Sequence, residues 1–175
     1  MIVKTSFAAA VFEPKPISPE AIPQALAKAE RYRLLDEPDQ AESICRDILN
    51  IQPDHQDALV VLILSLTDQS KDTLSARQAQ ELLPHLADEY ERNYYAGLIL
   101  ERLGRAHMNL REPGYGFLVY QLLREAMVCF EMAEEVRPAG NDDSILRWNA
   151  CVRTLNTHSE LRPRPEDSYE PILGE

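Results

Sequence analysis

The feature that most narrows what this chain can fold into is a spacing. Ala29, Tyr32, Ala41, Cys45, Ile48 and Pro53 are separated by 3, 9, 4, 3 and 5 positions, and Ala126, Phe130, Ala133 and Pro138 repeat the last three gaps. Self-similarity of this kind outranks any site motif as a guide to fold. A step of 34 residues carries Ala29 to Ile63 and Gly97, Tyr32 to Leu66 and Leu100, and the trio Ala41, Cys45, Ile48 to Ser75, Ala79, Leu82. The second unit is degenerate, because Ile63 is large and Ala87 stands where Pro53 closes the first. The third holds its phase through Leu100, and its second half then arrives 17 residues late, so that residues 103–119 form an insertion.

Helical periodicity fills the units. Ala41, Ile44, Cys45, Ile48 and Leu49 make one apolar stripe, Leu122, Leu123, Ala126, Cys129, Phe130, Ala133 and Val136 a second, and Ile145, Trp148, Cys151, Val152 and Leu155 a third. Such short helices are marginal alone and must bury their stripes against neighbours. Ser18-Pro19 reads as a helix start, with Asp36, Asp54, Asp72 and Asp142 or Asp143 as further caps.

With small residues facing a large one and a proline closing the first and third units, the pattern resembles the tetratricopeptide repeat (TPR), a helix–turn–helix unit of 34 residues. The resemblance covers about 22–156. It implies an all-α, short TPR-like solenoid of three helical hairpins plus a capping helix at about 142–156. The third hairpin is lengthened, with arms at about 88–110 and 116–136 meeting at the Pro113-Gly114 turn. Shared between the arms, the insertion makes that hairpin about 12 Å longer. Three regions follow: an extended N-terminal arm over 1–18, the helical domain over 19–156, and an extended, acidic, Pro-containing C-terminal tail over 157–175, both ends interrupted by prolines.

Charge limits the partners. Eighteen basic against 29 acidic residues leave a formal net charge of -11, which repels nucleic-acid backbones and anionic membrane surfaces. No apolar run approaches the roughly 20 residues of a bilayer span, so no direct membrane insertion is expected. The six-residue run Phe7–Phe12 is too short for a secretory core. Three scattered cysteines, Cys45, Cys129 and Cys151, read as reduced packing residues of a cytoplasmic protein.

Catalytic signatures are sparse. Gly114-Tyr115-Gly116 lacks the rest of a phosphate loop, the four histidines are dispersed, and the adjacent acid pairs 134–135 and 142–143 do not share a helix face. No cofactor, metal or small-molecule substrate is expected. The expected role is a protein–protein interaction module, an adaptor or accessory subunit of a larger assembly. A transient assembly chaperone is the first alternative. An enzyme of unrecognised helical type, using His107 and Glu101, is the second.

In the TPR family partners sit on the concave face lined by first helices. The resemblance places there Leu26, Ala27, Glu30 and Arg33 from the first unit, Val60, Val61, Leu64 and Thr67 from the second, and Tyr94, Tyr95, Leu98 and Glu101 from the third. The expected groove is largely apolar, which argues against the basic clamp that chaperone-binding relatives use for a terminal carboxylate. It suits a helical or hydrophobic partner segment, the chain's own arm or tail, or a closed core. A second candidate surface is the tip of the long hairpin, with Tyr115, Phe117, Leu118 and Tyr120. The strand-like arm 2–12 and the tail segment 169–173 are candidate linear motifs.

Overall fold

The structure, a computed structural model, describes residues 13–69 and 73–164. The expected arm over 2–12, the cap at Asp72 and the tail motif over 169–173 lie outside the described residues. Within them the chain is all helical: α1 (Ile22–Leu34), α2 (Pro38–Ile51), α3 (Gln56–Asp68), α4 (Thr73–Leu82), α5 (Glu89–Leu110), α6 (Tyr115–Glu135) and α7 (Asp143–Thr157), with single 3-10 turns at Pro19–Ala21 and Leu83–His85. No strand occurs among the described residues.

Each helix packs on its neighbours in sequence, and α1, α3, α5 and α7 also touch in succession. Three residues join α1 to α2, too few for anything but a fold-back if the two are to share a long contact. The most extensive interface is α5 on α6, whose 22 and 21 residues exceed the 13 of α1 and of α3. At 1.5 Å per residue α5 is roughly 13 Å longer than either.

The repeat positions are where the chain closes up. Ala29, Ala41, Cys45, Ile48, Ile63, Leu66, Ala79, Ala126, Phe130 and Ala133 are all buried, whereas Ser75, Leu82 and Leu100 are partly exposed. The closest approach is at Gly97, where an added Cβ would lie 2.6–2.9 Å from three ring atoms of Phe130. One apolar cluster joins α1–α4 to Leu86 and Ile99. Another joins Val119, Leu123, Met127 and Phe130 of α6 to Cys151 of α7 and Leu161 beyond it. Helix α5 serves both, Tyr95 and Leu103 packing against the first and Tyr94 and Leu100 against the second.

Several expectations at element ends are corrected. Asp36 does not cap α2: it sits at φ 60°, in the left-handed region a short polar residue tolerates, and Glu37 precedes Pro38 at the helix start. The α3 cap is His55, whose Nδ1 accepts from the Ala58 N–H at 3.3 Å, and not Asp54. Asp88 caps α5 by accepting from the Glu91 N–H at 3.0 Å. Ser18 precedes the first turn in extended backbone with no side-chain cap bond. Val136, counted in the α6 stripe, is exposed just past the helix end.

Beyond α7 the chain stays docked. His158 to Leu161 closes a turn, Leu161 is buried, and the Glu160 carbonyl lies against Gly116 of α6, 2.4 Å from where a Cβ would stand. The first residues after α7 therefore belong to the helical body and not to a free tail.

Candidate functional site

Helices α1, α3, α5 and α7, each touching the next, carry the residues of the candidate site. The apolar residues assigned to it divide by depth. Val61 and Leu98 are buried, at 5% and 2% exposure, and are core. Leu26 and Val60 are half-buried and pack against the first cluster, Leu64 is half-buried with its carbonyl accepting from Arg102, and Glu30 is exposed. A groove lined throughout by apolar side chains is thus reduced to its half-buried members.

The tyrosines come together with a third. Tyr90 stacks on Tyr94 at 5.7 Å between ring centres, Tyr94 meets Tyr95 edge-on at 5.3 Å, and Tyr94 tilts against Phe130 at 6.0 Å. Aromatic pairs favour such offset and edge geometries. Tyr90, Tyr94 and Tyr95 line a cleft of about 340 Å³ with Asp88, Glu91, Pro138, Asn141 and Asp143. The Tyr90 hydroxyl donates to Asn141 Oδ1 at 3.1 Å. Burial, then the Glu91 charge, pushes the Tyr95 hydroxyl up to about 12. Burial, then the neighbouring charges of Asp88 and Asp57, raises the Glu91 carboxyl.

Across the same helices runs a chain of charges. Asp68 at the end of α3 receives Arg33 of α1 at 2.7 Å and Arg102 of α5 at 2.5 Å. The Arg102 Nη1 also donates to the Thr67 hydroxyl at 2.5 Å and the Leu64 carbonyl at 3.3 Å. Immediately before Arg102, buried Glu101 accepts from Arg105 at 2.5 Å and from Arg147 of α7 at 3.5 Å. Burial draws Arg102 below its ordinary value; Asp68 opposes this, and Arg33 and Arg147 reinforce it. Burial also pulls Arg147 down, but a hydrogen bond with Tyr94 and the charge of Glu101 outweigh it and hold that guanidinium above its usual value.

Of this network the family resemblance points to Arg33, Thr67 and Glu101 but not to Asp68, Arg102, Arg105 or Arg147. A signal existed. Arg33, Asp68 and Arg102 are 35 and 34 positions apart, within one residue of the repeat step, with alternating sign.

At the hairpin tip, Tyr115, Phe117 and Leu118 line a cleft of about 570 Å³ with His107, Glu112, Pro113, Gly114 and Arg164. Tyr115 also donates to the Glu160 carboxylate at 3.2 Å. Tyr120 is half-buried on the next turn and does not line this cleft. His107 opens to the tip while Glu101 is held by two arginines, so the structure does not bring these two together as an acid–base pair. Among the described residues no group of His, Cys, Asp and Glu is arranged to hold a metal ion, and no helix is long and apolar enough to cross a membrane.

No family model matches the sequence, and no curated protein matches it.

Proposed function

We propose that this chain is a short TPR-like solenoid acting in the cytoplasm as a protein–protein interaction module, an adaptor or accessory subunit of a larger assembly. What supports the reading is the succession of contacts from α1 to α3, α3 to α5 and α5 to α7, the first helices of the repeat pattern. Along these helices half-buried Val60, Leu64, Tyr94 and Tyr95 lie beside ordered charges. Half-wet tyrosines with fixed polar neighbours suit recognition of another chain, since amphipathic rings supply contact area at low entropic cost. The internal repeat spacing and the succession of helix contacts favour the solenoid arrangement.

The experiment is affinity capture with the full chain, followed by mass spectrometry. Wild type should recover a specific partner in stoichiometric amount. Tyr94→Ala should lose it while helicity by circular dichroism persists. Should that variant unfold, Glu30→Lys, at an exposed position, replaces it. Recovery of the chain alone, or equal capture by wild type and the folded variant, counts against an adaptor. A complex that forms and is released unchanged on delivery of a client favours the assembly-chaperone alternative.

A further inference from the structure

Between α2 and α4 the helical body leaves a cleft of about 400 Å³. Leu49, Leu62 and Leu82, from three successive helices, supply its apolar part, and polar residues of α2 from Ser43 to Asn50 form its rim. One further wall is not helical. Pro14, from the stretch ahead of α1, lines the same cleft. Three residues on, Ile17 packs against the cluster of Ile22, Ile48 and Ala58. The chain before α1 is therefore laid on the body at two points, and the earlier of them is this cleft.

The backbone of that stretch has a period. Pro14 and Pro16 fix φ near the polyproline value, and Ser18, at φ -79° and ψ 148°, lies in the same region. Three residues make one turn of a polyproline helix, so Ile17 and Pro14 share a face, and Val11 and Ala8 are next on it. One further turn advances roughly 9 Å, and the rim from Ser43 to Asn50 runs roughly 10 Å along α2. Chemistry selects among occupants. Phe7 to Phe12 is an uncharged apolar run joined to Pro14 through Glu13 alone. At the rim Arg46 is already taken by Glu42 at 2.6 Å, while among the described residues no ion pair reaches Asp47. The chain's other end, with Glu166, Asp167 and Glu170, would bring like charge to Asp47. A tether this short also sets an effective concentration on the order of millimolar, which a free partner has to exceed.

We propose that the α2–α4 cleft is the docking site of the chain's own apolar run Phe7–Phe12, with Val11 entering behind Pro14 against Leu49, Leu62 and Leu82. Residues 1–12 themselves lie outside the described residues. Docked there, the run covers this side of the helical body and is withdrawn from use as a linear motif for other proteins. The inference goes beyond the interaction-module reading and does not depend on it.

The test is disulfide trapping in the full chain, with Cys129→Ser removing the half-buried thiol. Ala10→Cys leaves Val11 and Phe12 in place. It is paired in turn with Ser43→Cys and Asn50→Cys, at exposed positions of the rim, and with Glu20→Cys, exposed and outside the cleft. Under mild oxidation at low protein concentration, peptide mapping by mass spectrometry should find a disulfide within one chain to a rim site. It should form about tenfold faster than the one to Glu20→Cys, because docking concentrates the segment at the rim. Adding Val11→Asp and Phe12→Asp keeps the tether and removes the apolar contact, since a buried carboxylate without a partner is costly. The preference for the rim should then vanish.

Equal rates to the rim and to Glu20→Cys overturn the proposal. So does a preference for the rim that survives both aspartates, which makes it a property of the tether and not of docking. A disulfide that joins two chains overturns the assignment within one chain and gives the cleft to the same segment of a second copy.

Discussion

Gly97 leaves no room for a methyl group. Its helix crosses α6 where the Phe130 ring lies, under 3 Å from the place a Cβ would take. Alanine normally gains up to about 1 kcal/mol over glycine in a helix. Here overpacking costs of about 1–3 kcal/mol oppose that gain. We expect Gly97→Ala to lower stability in urea denaturation, and Phe130→Leu in the same chain to recover part of the loss. Additive losses in the double variant would show that the two do not meet.

The cysteines give a second residue-scale expectation. Burial pushes the Cys45 and Cys151 thiols up to about 12, and it raises half-buried Cys129 as well. A raised thiol pKa keeps the unreactive protonated form in the folded state as pH rises past the ordinary thiol range. Iodoacetamide at pH 8 should therefore label Cys129 slowly and the other two hardly at all. All three should react in denaturant, as counted by mass spectrometry.

These positions also show what was legible in the sequence. Phe130 stood in the repeat spacing and Gly97 where the TPR resemblance puts a small residue, but their contact with each other shows only in the structure. Asp36 misled, since Asp serves a left-handed turn as readily as a helix cap, and Asp54 misled because the neighbouring His55 takes the cap. Val61 and Leu98 were assigned to a groove because apolarity reports burial and recognition alike, and only their depth decides.

At the scale of elements, both long helices were legible to within a residue or two, because Pro113-Gly114 punctuates an otherwise continuous periodicity. The segment after α7 was not. Its prolines suggested an extended tail, and nothing in the local pattern tells that Leu161 finds a site in the core of α6 and α7. Gly116 makes that docking feasible by letting the Glu160 carbonyl approach. We expect Gly116→Ala to dislodge residues 158–161 while leaving the helices intact. Hydrogen exchange should show it: the Leu161 amide, bonded at 3.0 Å to the His158 carbonyl, should lose protection, with unchanged helicity by circular dichroism. Retained protection would mean that the segment has slack to move aside.

For the whole molecule, the telling connection is Asp68. It joins α1 to α5 through α3, so that three helices depend on one carboxylate. Exposed pairs contribute at most about 1 kcal/mol, but here removal leaves two partly buried arginines facing each other. Asp68→Asn should cost more than an isolated surface pair, roughly 1–2 kcal/mol after screening at 27% exposure. The loss should shrink as salt rises. A cost independent of salt would point to lost packing in place of charge. Apolar periodicity carries no trace of this network, whose only sequence signature is the near-repeat spacing of Arg33, Asp68 and Arg102.

The lengthened α5–α6 pair carries a constraint on how such a chain can change over evolutionary time. Each residue added to one arm turns everything beyond it by about 100° around the helix axis. The arms face each other along their whole length, so growth in one alone would rotate its apolar side into water and leave the other uncovered. Viable insertions must come as matched pieces on both sides of Pro113-Gly114, near whole numbers of turns. Single-residue deletions within either arm should be among the least tolerated lesions in the chain, while additions at the turn itself should pass almost unnoticed.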